Sequence, residues 1–89
     1  MPWVYLLMDD RGRIYTGCAT NLRRRLQQHF ARNVRSTKGW RSLELVYAEE
    51  FPTLTDARRR EAEIKRMRRE EKLKLIRKGV PKKALELCP

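Results

Sequence analysis

Trp3 to Met8 is an unbroken apolar run in which Trp3, Tyr5 and Leu7 alternate with Val4, Leu6 and Met8. Successive side chains of an extended segment take opposite faces, so both faces are apolar and the segment reads as a buried central strand. The stretch DDRGR then supplies turn residues, and Arg13 to Gly17 reads as a second strand that closes a hairpin. Leu22, Leu26 and Phe30 next form an apolar stripe at helical spacing. They predict a helix to about Arg32, with Thr20 or Asn21 as its N-cap. Residues 33–41 make a basic loop. Ser42 to Phe51 reads as a third strand, with Leu43, Leu45 and Tyr47 on one face and Pro52 at its end. Thr55 or Asp56 caps a helix to about Arg68, and Glu70 to Lys78 makes another, stopped by Gly79 and Pro81. The sum is an α+β fold: a small three-stranded antiparallel sheet with flanking helices in one domain over residues 1–79, then a short C-terminal tail at 80–89.

Charge changes this picture from a plain fold to one with a partner. The chain of 89 residues, enough for one modest core, carries 22 Lys+Arg against 11 Asp+Glu, a net +11. The excess is concentrated. Residues 11 to 43 hold nine basic residues and no acid, whereas residues 44 to 89 hold 13 basic and 9 acidic, a mixture suited to solvated helix faces. An acid-free basic run favours a polyanion, most often nucleic acid. A basic surface with no particular ligand is the bland alternative. Cys18 and Cys88 are too few for a disulfide scaffold or a zinc site, and free thiols in a reducing cytoplasm are the simplest account of them. The apolar run WVYLLM is too short to be a membrane span or a signal peptide.

Several residues sit where a merely basic domain does not need them. Arg25 and His29 are four apart, so they share one side of their helix at the edge of the apolar stripe, while Arg24, Gln27 and Gln28 point away. An arginine snorkelling along the core and a packed core-edge histidine are the ordinary explanations. In the later helix, Leu54, Ala57 and Ile64 form a stripe whose pattern is completed by Glu61. A carboxylate there is expensive unless it is paired, for instance with Arg60 or Arg68, or bound to a metal. Tyr5 and Tyr15 lie on adjacent strands and their phenols can reach a common face, with Gly17 leaving space beside the ring. Two tyrosines, an arginine, a histidine and a core-facing glutamate suit metal-assisted cleavage of a phosphodiester. The carboxylate would hold a hard cation, arginine would stabilise phosphate charge, and a phenol or imidazole would relay a proton.

The order of these residues resembles the GIY-YIG nuclease superfamily, from residue 3 to about 77. Trp3-Val4-Tyr5 stands where the family has Gly-Ile-Tyr, and Tyr15-Thr16-Gly17 where it has Tyr-Ile-Gly. Asn21 to Leu26 followed by His29 is similar to the family's helix, and Ala57, Glu61, Ile64 and Lys65 to the segment with its metal-binding glutamate. The short stand-alone bacterial members are the most alike, together with the nuclease subunit of junction-resolving complexes and the UvrC N-terminal domain. The resemblance implies that Tyr15 activates the attacking water and that Tyr5 orients it or shares that role. It also implies that Arg25 clamps the scissile phosphate, that His29 relays a proton or touches phosphate, and that Glu61 binds Mg²⁺ or Mn²⁺. The chain departs from the family pattern at Trp3, at Cys18 where many members carry lysine, and in having no asparagine after Asn33.

Substrate choice rests on the basic segment. Gly17, Arg23, Arg24, Arg35, Lys38, Trp40 and Arg41 are the expected nucleic-acid contacts, mostly to phosphate, so sequence preference is expected to be poor. Trp40 either stacks on an unpaired base or anchors the loop. The expectation is an endonuclease acting as a monomer on single-stranded or branched DNA in repair or recombination, with RNA left open. The competing readings are a binding module of the same fold that does not cleave or needs a protein partner, and a basic RNA-associated structural protein.

Overall fold

The computed structural model describes residues 1–89. Three strands, β1 (Trp3–Met8), β2 (Ile14–Ala19) and β3 (Glu44–Glu50), form an antiparallel sheet in the order β2-β1-β3. The central place of β1 follows from its two apolar faces. Trp3, Tyr5 and Leu7 enter one core with Leu22 and Leu26 of α1 (Leu22–Phe30). Val4 and Leu6 enter a second core with Ala57 and Ile64 of α2 (Leu54–Lys65) and Leu75 of α3 (Arg69–Arg77). The sheet is thus sandwiched, with α1 on one face and α2 and α3 on the other, and β2 is left as an edge.

Helix ends are set by local chemistry. The Asn21 side chain accepts from the backbone N–H of Arg24 at 3.0 Å and starts α1. The helix stops at Phe30, earlier than expected, because Arg32 takes a left-handed backbone (φ 61°). The N–H groups of Arg32 and Asn33 then close on the carbonyls of His29 and Gln28. The helix α2 is capped by Thr53, whose hydroxyl accepts from Asp56 N–H at 3.1 Å, and neither Thr55 nor Asp56 serves as the cap.

Three further expectations are corrected by packing. In β3 the register on β1 slips between Leu6 and Leu7, which pair with Tyr47 and Leu45 and leave Val46 as an extra, bulged residue. The bulge inverts the alternation. Leu43 and Leu45 face the α1 side while Tyr47 is buried on the other, so the three do not share a face. In α1 the stripe is completed by His29, fully buried, and Phe30 lies exposed at the rim. Residues 80–89, read as a tail, carry a short helix α4 (Lys82–Glu86). Its Ala84 is fully buried in the Trp3–Leu22 core, and Lys83 pairs with Glu50 at 2.8 Å. No helix is long and apolar enough to cross a membrane.

Candidate active site

Tyr5 projects from the middle of β1 opposite Gly17 of β2. A β-carbon at Gly17 would stand 2.5 Å from both Cζ and Oη of Tyr5 and 2.9 Å from Cε2 of Tyr15. Only a glycine lets the phenol lie there. The Tyr5 hydroxyl meets Nε2 of His29 at 2.8 Å, and Nδ1 of His29 meets the Thr37 hydroxyl at 2.8 Å. Tyr5, His29 and Thr37 are each fully buried, so this chain of three polar groups is sealed inside the core. Burial, and then the nearby Arg25 guanidinium, lowers the His29 pKa from 6.5 to about 4. The imidazole is therefore neutral at pH 7, one nitrogen donating and the other accepting. Burial, followed by the neighbouring Tyr15, raises the Tyr5 pKa above its ordinary 10, so this phenol keeps its proton.

Tyr15 closes the cluster on its open side. Its ring stands 5.0 Å from that of His29 and 6.3 Å from that of Tyr5, and it is only half-buried. Arg25 faces both phenols and donates to Gln28 Oε1 at 3.0 Å. It also lines a cleft of about 530 Å³ at the free edge of β2, together with Cys18, Asn21, Arg24, Arg58 and Glu61. Arg25 comes from the helix on one face of the sheet and Glu61 from the helix on the other; the two meet around the edge strand. Three guanidinium groups against one carboxylate make the cleft a site for an anion.

Glu61 is not sealed in the core as its stripe position suggests. Its side chain is 22 % exposed at the cleft and pairs with Lys65 at 3.2 Å, while Arg60, a partner expected for it, goes to Glu49 at 3.1 Å. Burial raises the half-buried Cys18 thiol, and Glu61 lies close enough to add to that rise while Arg58 and Lys65 oppose it. No group of three or more His, Cys, Asp or Glu is placed to hold a metal. The donor set therefore offers one carboxylate. That fits Mg²⁺ or Mn²⁺, which retain waters and take phosphate oxygens as further ligands, and does not fit a protein-caged ion.

The other expected contacts do not gather in the cleft. Arg23, Arg24, Arg35, Lys38 and Arg41 are exposed, and only Arg24 reaches the cleft. Trp40 packs edge-on to Tyr15 at 6.5 Å with Arg13 over its ring at 4.7 Å, so it braces the loop against the cluster. His29 has no exposed surface and both nitrogens engaged, which leaves it nothing to offer a phosphate directly. Sequence reasoning missed Thr37, Arg58 and Gln28. Arg58 lies one turn before Glu61 on the same helix, a spacing that marks it in retrospect; nothing in the sequence marks Thr37.

Comparison with known proteins establishes the family and the fold. The GIY-YIG catalytic domain model matches residues 1–74. The chain belongs to the GIY-YIG family. It is 38 % identical over 78 residues to a UPF0213 protein of Staphylococcus saprophyticus, covering 86 % of this chain and 95 % of that one. A UPF0213 protein of Syntrophus aciditrophicus is also 38 % identical, over 79 residues, 86 % of this chain and 91 % of the other. The solution NMR structure of a UPF0213 protein from Bacillus halodurans superimposes with a TM-score of 0.60 at 33 % identity, over 96 % of this chain and 94 % of that one. A GIY-YIG domain is a nuclease-type fold that implies a nucleic-acid substrate, and its nucleases generally use divalent metals.

Proposed function

We propose that the protein is an endonuclease that hydrolyses phosphodiester bonds of single-stranded or branched DNA with Mg²⁺ or Mn²⁺, acting in the cytoplasm in repair or recombination. The observation that carries this reading is the meeting of Arg25 and Glu61 in one cleft at the edge of β2, with Arg25 also facing both phenols. Arg25 clamps the scissile phosphate and stabilises the charge that builds on it. Tyr15, half-exposed where Tyr5 is sealed, is the phenol that an attacking water can reach, and it orients and activates that water. Tyr5 keeps its proton and forms the fixed wall of the cluster, and His29 is a positioning residue that holds Tyr5 from behind. Arg24 and Arg58 bind flanking phosphates. A divalent ion held by Glu61 and by water would supply Lewis-acid stabilisation of the phosphate. The products expected are a 5′-phosphate and a 3′-hydroxyl.

The test is cleavage of end-labelled single-stranded and branched DNA, with wild type run beside Glu61→Ala and Arg25→Ala. Metal-dependent cleavage lost in both variants, with binding kept by Glu61→Ala, is the expected result. No cleavage of any substrate, with equal salt-sensitive binding by all three proteins, would replace the enzyme by a binding module.

A further inference from the structure

The turn between β1 and β2 is built around the buried carboxylate of Asp9. It accepts from the backbone N–H groups of Arg11 at 3.1 Å and Arg13 at 2.8 Å, and from Arg13 Nε at 2.7 Å. Spending Nε on Asp9 aims the guanidinium of Arg13 and leaves its two Nη groups uncommitted. Trp40 supports that guanidinium from below at 4.7 Å. The backbone N–H of Asp10 donates to the Arg41 carbonyl at 3.0 Å and ties the turn to the end of the basic loop. From α3, Arg69 Nη1 holds the Gly12 carbonyl at 2.6 Å.

These ties draw Arg11, Arg13 and Arg41 around one concavity of about 360 Å³, whose other lining residues are Gly39 and Asp10. Neither Arg11 nor Arg41 has an ion-pair partner. Arg13 is neutralised by Asp9, but Arg11 and Arg41 bring two unpaired guanidinium groups to a rim that holds one further carboxylate, Asp10, and a bound anion would relieve their repulsion. The concavity stands at the start of β2, and the Arg25–Glu61 cleft at its end, with Tyr15 and Trp40 between them. Arg13 and Cys18, one from each site, are five residues apart, about 17 Å along a strand.

We propose that Arg11, Arg13 and Arg41 form a second site for backbone phosphates, which grips a single strand about 17 Å from the bond in the cleft. The identity of the anion rests on the nuclease reading; the site itself does not. A strand lying along the free edge of β2 would fill both sites at once.

Anisotropy of a fluorescent 12-mer of thymidylate, measured over a range of salt in EDTA, tests this without any cleavage. Each phosphate contact to a single strand contributes about 0.7 to the slope of log affinity against log salt. Arg11→Gln with Arg41→Gln is expected to lower that slope by about 1.4 relative to wild type. Arg66→Gln with Arg77→Gln removes the same charge from exposed positions elsewhere and is expected to change it by less than about 0.5. Equal slopes in the two double variants, or a wild-type slope in the first, would overturn the site. Because no metal is present, a protein that never cleaves still reports on it, and a nuclease without it still cleaves.

Discussion

His29 is the only histidine in the chain, so its burial can be read as a pH dependence of stability with no other side chain titrating ordinarily between pH 5 and 7. In the unfolded chain its imidazole takes a proton near 6.5, whereas in the folded protein burial and Arg25 delay this to about pH 4. Between these values the unfolded state binds more protons than the folded one. Stability is therefore full above about pH 6.5 and falls as the pH drops through the window. At 1.36 kcal/mol per pH unit the whole window is worth about 3 kcal/mol, and the fall from pH 7 to 5 about 2 kcal/mol. In a domain of this size that corresponds to a lowering of Tm by about 8–16 °C. Urea unfolding followed by circular dichroism at pH 7, 6 and 5 and constant ionic strength measures it. His29→Gln is the control: its amide can meet both Tyr5 and Thr37 but does not titrate, so its profile is expected to be flat. A flat wild-type profile, or the same slope in His29→Gln, would refute the sealed imidazole and the positioning role built on it.

Gly17→Ala is expected to lose about 2–5 kcal/mol, combining overpacking of the Tyr5 ring with an orphaned His29 nitrogen; a Tm within a few degrees of wild type would mean that the ring is free to move aside. Tyr15→Phe should cleave at least about 100-fold more slowly while melting close to wild type, since the side chain is only half-buried; undiminished cleavage would transfer the water-activating role elsewhere. Truncation after Gly79 uncovers the core face under Ala84 and removes the Lys83–Glu50 pair, at a cost on the order of 2–3 kcal/mol in thermal unfolding. An unchanged melting curve would show that α4 contributes nothing to the core.

Where a feature depends on neighbours in the chain, the sequence was readable. The two-faced run Trp3 to Met8 became the central strand, Asn21 was one of the two caps proposed for its helix, and the GIY-YIG order of residues gave the fold. Features decided by distant partners were not. Phe30 outranks His29 on any hydrophobic scale, but the turn at Arg32 ends the helix, and the Tyr5 and Thr37 hydroxyls make burying an imidazole inexpensive. The alternation through Leu43, Leu45 and Tyr47 is intact in the sequence, and the bulge at Val46 that breaks it arises from pairing with β1. The partner of Glu61 is hidden for a similar reason: Arg60 is drawn away to Glu49 on β3, which leaves Lys65. Residues 80–89 look like a tail because Ala84 alone among the α4 residues is buried.

Tyr5 is at once a wall of the candidate site and the centre of the core. The core on the α1 side is therefore no inert scaffold beneath the candidate site. An engineer who wants a folded, silent DNA binder must work at the rim, on Arg25 or Glu61, because silencing Tyr5 or His29 also unpicks the core. Descent is under the same constraint. A lineage that gave up cleavage but still needed the fold would shed the rim charges first and keep the phenol and the imidazole, bonded to each other, long after they had stopped serving a reaction.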